Sequence, residues 1–92
     1  MLIQLKAYVD RTKDNGMEFY DRLGAVVVRV DGETLAQDPS AVRLTKISEA
    51  DEFHAPLYSV ELDPSLEVSV QAWSIGSVQL GKVSDLIHDD EI

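Results

Sequence analysis

The stretch Leu62-Asp63-Pro64-Ser65-Leu66-Glu67-Val68-Ser69-Val70-Gln71-Ala72 decides the fold class. Asp63-Pro64-Ser65 has the residues of a turn. Beyond it, Leu66, Val68, Val70 and Ala72 alternate strictly with Glu67, Ser69 and Gln71. Side chains of a β-strand have a period of two, so this is a strand with one dry face and one wet face. The alternation then breaks: Trp73 and Ile75 fall on the row that the three polar residues mark as wet, before Gly76-Ser77 interrupts the chain.

Upstream of this stretch, Leu57 to Leu62 follows Pro56 as another strand, and residues 42–47 form one more. Residues 25–30 are almost all β-branched, as expected for a central strand. Asp31-Gly32 offers a tight hairpin into Glu33-Thr34-Leu35. At the start, Ile3, Leu5, Ala7 and Val9 alternate with Gln4, Lys6, Tyr8 and Asp10, which places Tyr8 on the wet face of a first strand. Asn15-Gly16 closes a polar loop, because both residues tolerate positive φ. Residues 37–40 form a loop, and residues 48–54 a loop or one helical turn. Downstream, residues 78–83 are a last strand, and residues 84–92 an acidic tail or a frayed helix. The expected organisation is one β-rich domain over residues 1–84, followed by the tail over 85–92. The expected core is Ile3, Leu5, Val9, Val26, Val28, Val30, Leu44, Val60, Leu62, Val68, Val70 and Leu80.

Residues 17–23 admit two readings. Met17, Tyr20 and Leu23 share a helical face; equally, Phe19 anchors a short strand, and seven residues cannot decide between the two by periodicity.

As a strand, this segment completes about seven short strands separated by turns, the pattern of an immunoglobulin-like sandwich. The second half of the chain then resembles a fibronectin type III domain. Leu62-Asp63-Pro64, Val68-Ser69-Val70-Gln71-Ala72, Gly76 and residues 78–83 match that family's Leu-x-Pro turn, alternating strand, glycine loop and last strand. The family's corner tyrosine is absent, and Leu66 or Val68 stands in its region. The resemblance implies an all-β fold, a small antiparallel β-sandwich.

As a helix, the same segment gives an α+β chain with a strand–helix–strand start. Phe19-Tyr20-Asp21-Arg22-Leu23-Gly24 then resembles the Phe-Tyr-x-x-Leu-Gly helix end of the vicinal-oxygen-chelate superfamily, the glyoxalase and bleomycin-resistance types. That resemblance implies a small-molecule-binding module working as a dimer, with His54 and Glu61 as its candidate metal ligands.

Composition narrows the function classes. Ninety-two residues make one domain, and 45% of them are apolar. At this length folding buries somewhat under about 70% of the unfolded surface, enough for one modest core. No apolar run approaches the roughly 20 residues of a membrane helix. Met1 leads straight into Leu2-Ile3-Gln4-Leu5-Lys6, without the charged and small-residue segments of a signal peptide. The expected location is therefore the cytoplasm, a host's cytoplasm or a particle assembled there. The sequence has no cysteine, which removes disulfides, thiolate nucleophiles and zinc–sulfur sites together. Seventeen acids against eight bases give a net charge of −9, which repels phosphate backbones and argues against direct nucleic-acid binding.

Catalytic and metal patterns are weak. Asp10, Thr12, Asp14, Asn15, Gly16 and Asp21 echo a calcium loop, but the glycine comes one residue late and the closing glutamate is missing; a solvated turn is expected. Asp85, His88 and Asp89 would share a face if the tail were helical. Neither histidine has a nucleophile elbow or a spaced carboxylate pair beside it, and there is no phosphate-binding glycine loop. No metal, no cofactor and no enzymatic activity are expected.

What remains is protein binding. The expected function is a non-enzymatic protein-interaction or assembly module, of a kind that suits a viral or phage component. The alternative is an acidic inhibitor that covers the basic nucleic-acid channel of a partner enzyme. The partner is another protein, and self-association fits the same description. The candidate partner-binding residues are Trp73, Tyr8 and Ile75 on the wet face, with Asp85, Asp89, Asp90 and Glu91 in the tail. Trp73 leads because tryptophan is enriched in interface hot spots.

Overall fold

The structure is a computed structural model and describes residues 2–74 and 76–87. Among the described residues the chain is all-β, with two short helices. The strands are β1 (Ile3–Arg11), β2 (Met17–Tyr20), β3 (Val26–Val30), β4 (Val42–Ser48), β5 (Leu57–Leu62), β6 (Glu67–Ala72) and β7 (Val78–Lys82). Helix α1 (Gly32–Gln37) and a 3-10 turn (Pro39–Ala41) lie between β3 and β4, and α2 (Val83–Leu86) follows β7. Residues 17–23 are therefore β2 and the turn after it, which overturns the strand–helix–strand alternative. Phe19, fully buried opposite Val9 and Val28, explains the choice: one strand places its ring at the centre of the core.

All neighbouring strands are antiparallel and belong to one continuous sheet, in the order β4-β5-β1-β2-β3-β6-β7. The layering comes from bending this one sheet; among the described residues there is no second, separately hydrogen-bonded sheet. Laid flat, seven strands about 4.8 Å apart would span roughly 29 Å in a single layer. The extents of 32 × 30 × 27 Å show that the sheet wraps round on itself. The wrap pivots on β1. Its Ile3-to-Tyr8 portion pairs with β5, and its Tyr8-to-Arg11 portion pairs with β2, so the two ladders overlap at Tyr8. Strands that leave one layer and enter another in this way make the corners of sandwiches and barrels.

One hydrophobic cluster fills the concave side. Leu5, Ala7 and Val9 of β1 meet Phe19, Val28, Val30, Val60, Leu62, Val68 and Val70, with Leu66 at the turn into β6. Ile3, Val26 and Leu44 pack at its margin. Leu80, expected in the core, is 80% exposed. The register gives the reason: Gln79 and Gly81 stand opposite Val70 and Val68, so Leu80 lies opposite Ser69 on the outer face. Val83 and Ile87 are buried in its stead. The segment expected to be an acidic tail or a frayed helix begins as α2, tied down by Val83 N–H to the Leu66 carbonyl (2.9 Å) and Ser84 N–H to the Pro64 carbonyl (2.9 Å).

Asp31-Gly32 is not a hairpin. The Asp31 carboxylate accepts the Thr34 N–H at 3.0 Å and caps α1, the arrangement that aspartate favours at a helix start. Asp14 supports the same place. Its carboxylate accepts the N–H groups of Gly16 (3.2 Å) and Gly32 (3.3 Å) and the Thr12 hydroxyl, and it faces Arg29 at 3.8 Å. Asp14 of the calcium-like stretch is thus a turn builder. Those bonds hold its carboxyl below the usual carboxylate range, the Thr12 hydroxyl first among them. A Cβ on Gly32 would overlap the Asp14 carbonyl oxygen, so glycine is required there by close approach.

Candidate interaction surface

Antiparallel partners point to the same face, so the registers read out a belt across the convex side. Leu57, Tyr8, Tyr20, Val27, Gln71 and Val78 stand side by side from β5 to β7. At its heart are three stacked rings. Tyr8 lies 5.6 Å from Tyr20 at 30°, and 4.7 Å from His54 at 17°. Both are offset-stacking distances, worth of order 1 kcal/mol per pair beyond burial. The Tyr20 hydroxyl donates to Asp10 Oδ2 at 3.3 Å and accepts the Ala55 N–H at 3.3 Å. Burial, followed by the Asp10 charge, raises the pKa of this phenol, and the Ala55 bond partly offsets the rise.

Two connections adjoin this stack and a third is bonded to the first of them, and each exposes one large apolar residue. Leu23 in the β2–β3 turn is 88% exposed, Phe53 between β4 and β5 is 79%, and Trp73 after β6 is 81%. Their backbones are not loose. In the first turn, the Ala25 N–H bonds to Asp21 Oδ1 at 2.8 Å, the Gly24 N–H bonds to the Asp21 carbonyl, and Gly24 takes φ 67°. Glycine adopts that left-handed conformation at no steric cost, and Leu23 is left at the tip.

In the second, Asp51 Oδ1 accepts the N–H groups of Phe53 and His54, both at 2.7 Å. These bonds, Phe53's first, hold the Asp51 carboxyl below its ordinary range. The Asp51 turn also sets His54 against Tyr8, with Nδ1 3.4 Å from the carboxylate. Beside β3, the Trp73 N–H donates to the Ala25 carbonyl at 3.0 Å, which draws the third connection against the first. The Ala55–Tyr20 bond does the same for the second.

Of the two aromatic residues expected to bind, Tyr8 lies on the convex belt and Trp73 is exposed in the turn after β6. They do not share one patch as strand neighbours, since β2 and β3 separate β1 from β6. Tyr8 is packed under His54 and beside Tyr20, whereas Trp73 stands free. Asp85 is exposed on α2, away from this belt in sequence and sheet order. Ile75, Asp89, Asp90 and Glu91, and His88 of the tail's metal pattern, lie outside the described residues. Tyr20, Leu57, Leu23 and Phe53 are not among the partner-binding residues expected from sequence, and His54 enters there only as a metal ligand implied by the oxygen-chelate resemblance. Only the Phe53 position carried a local signal, a lone aromatic in a polar loop; the others need the register.

The rings and carboxylates here bond to one another and to backbone. Among the described residues, no three histidine, cysteine or acidic side chains gather as a metal site. No described helix is long and apolar enough to cross a membrane. His54 and Glu61, the ligands implied by the oxygen-chelate resemblance, occupy different settings: His54 stacks on Tyr8, and Glu61 lies on β5 opposite Gln4 and Arg43. Comparison with family models, with curated proteins and with solved structures gives no match to this chain, so both family resemblances rest on the residues quoted for them.

Proposed function

We propose that the protein is a non-enzymatic interaction module that docks a partner protein on the convex belt and the three loop tips around it. One observation carries the reading. Leu23, Phe53 and Trp73 project from three separate connections: the Leu23 turn follows Tyr20 of the ring stack, Phe53 precedes His54 of the same stack, and Trp73 is bonded through its N–H to Ala25 of the Leu23 turn. A domain gains nothing in its own stability from three large apolar residues held out in water. Grouped exposed apolar residues of this kind mark partner surfaces. Loops carried on a rigid sheet are also where binding residues concentrate.

The reading keeps the cytoplasm, or a particle assembled there, as the working place, in line with the cysteine-free composition. It assigns anchoring to Trp73 and support to Tyr8, which fixes the floor from which the loops rise.

The test uses a photoreactive phenylalanine analogue at position 23, 53 or 73, with position 40 as control. Crosslinks to one native protein should form from the three tips and not from position 40. Trp73→Ala should then weaken binding to that protein at least about thirtyfold without changing the melting temperature. Crosslinking from position 85 alone, with affinity falling steeply as salt rises, would replace this reading by an acidic inhibitor of a basic channel.

A further inference from the structure

Beside the belt the sheet has a notch. β2 ends at Tyr20, opposite Tyr8, and the Asp21 turn carries the chain directly into β3. On the β2 side, the first half of β1 is therefore left without a strand. The backbone direction there can be read off. The Val9 N–H points to the β5 side, where it meets the Pro56 carbonyl at 3.2 Å. Backbone groups alternate sides along a strand, so Ile3, Leu5 and Ala7 also turn theirs to β5. Gln4 and Lys6 turn their N–H and C=O groups the other way, into the notch. Unpaired groups of this kind are what an incoming strand uses.

The notch opens into a cleft of about 730 Å³ lined by Lys6, Tyr8, Tyr20, Arg22, Leu23 and Leu57, among others. Its walls are mostly apolar, and it carries two cations on a chain of net charge −9. Lys6 and Arg22 make no ion pair among the described residues, whereas Arg29 and Lys46 do. Asp21, the acid in the lining, bonds to the Ala25 N–H.

We propose that this notch accepts an extended peptide segment of the partner as an added strand on Gln4 and Lys6. The segment carries an acidic side chain against Lys6 and Arg22, and an apolar one, two residues away on the same face, in the cleft between Tyr8, Leu23 and Leu57. Main-chain bonds supply the pairing, and the alternate side chains supply selectivity. The proposal rests on the docking surface above and names the form and chemistry of what docks.

Amide hydrogen exchange on the whole chain tests it, with a blocked peptide of sequence glycine-leucine-threonine-glutamate-threonine-glycine as probe and its lysine-for-glutamate counterpart as control. In the free protein the Gln4 and Lys6 amides should exchange faster than those of Leu5 and Ala7. The glutamate peptide should slow Gln4 and Lys6 at least about tenfold, and the lysine peptide should not. Lys6→Glu, or Arg22→Glu as an independent second variant, should reverse that preference. Gln4 and Lys6 amides already protected in the free protein overturn the proposal. So does equal protection by both peptides, protection by neither, or protection that appears on β4 or β7 instead. Crosslinking from position 73 reports on the loop tips separately. Tip crosslinks with unchanged Gln4 and Lys6 amides would leave the docking surface standing and remove strand addition.

Discussion

The connections of this sheet fall into two sets that treat the same problem in opposite ways. One set bonds to itself across the fold. The turn at Asp14 holds Gly32 of α1, the Asp63 N–H reaches the Ala41 carbonyl at 2.9 Å, and Pro64 and Leu66 hold the start of α2. The other set, around Leu23, Phe53 and Trp73, is held mainly by bonds inside each turn and leaves its largest side chains in water. Loops that carry the weight of stability bury their apolar residues, Ala41, Val83 and Ile87 here. Loops that are free of it can offer theirs to a partner.

Substitutions can break or sharpen this contrast. The largest effect is expected at Gly32→Ala, where the added carbon meets the backbone of Asp14 and Asn15 across the stitch. Overpacking of this kind should cost about 3 kcal/mol in chemical denaturation. Gly24→Ala has open space around it and only the strain of φ 67°, about 1 kcal/mol. If Gly24→Ala proves the more damaging, the two sets are not different in kind.

Val83→Ala removes a fully buried side chain beneath the stitched set and should cost on the order of 1–3 kcal/mol, a loss that Ser84→Ala should not share. Acid offers a third test. Asp14 and Asp31, each held mainly through a threonine partner, and Asp63, held by Ser65, have carboxyl groups lowered below their ordinary values. A lowered native pKa means that the native state favours the ionised form. Their stabilisation is then fully present above the unfolded value near 4 and is lost as pH falls from there through the native values. Thermal melts at stepped pH should be flat from about 7 to 5 and decline below about 4. Protection of the Gly16, Gly32 and Ser65 amides, taken against the intrinsic exchange rate at each pH, should fall before the sheet opens. The smallest effects belong to the open set: Leu23→Ser, Phe53→Ser and Trp73→Ser should each stay within about 0.5 kcal/mol of the parent stability.

How much of this was legible beforehand differs residue by residue. The alternation at Leu66 to Ala72 and at Ile3 to Val9 gave strands and faces outright, because a period of two survives any tertiary context that buries one side. Trp73 was visible as a break in that pattern. Leu80 was not, since the parity of an edge strand depends on its neighbour's register. Asp31-Gly32 misled because the same dipeptide opens a hairpin or caps a helix, and the choice lay with the contact between Gly32 and Asp14. The ring stack was out of reach for another reason. Tyr8, Tyr20 and His54 come from three segments, and only the staggered pairing of β1 brings them together.

That stagger also orders events in time. Ile3 is paired by Leu62, so during synthesis the first half of β1 has no strand on either side until β5 has left the ribosome. The β1–β2–β3 meander can form early by local contacts, but it waits with Leu5 and Ala7 uncovered. Pairings between distant parts of a chain are slow, and partly built sheets are the forms that aggregate and attract chaperones. Nascent chains halted before Leu57 should therefore be markedly more protease-sensitive at β1 than chains halted well after Leu62, and equal sensitivity would show that the early strands find cover without β5.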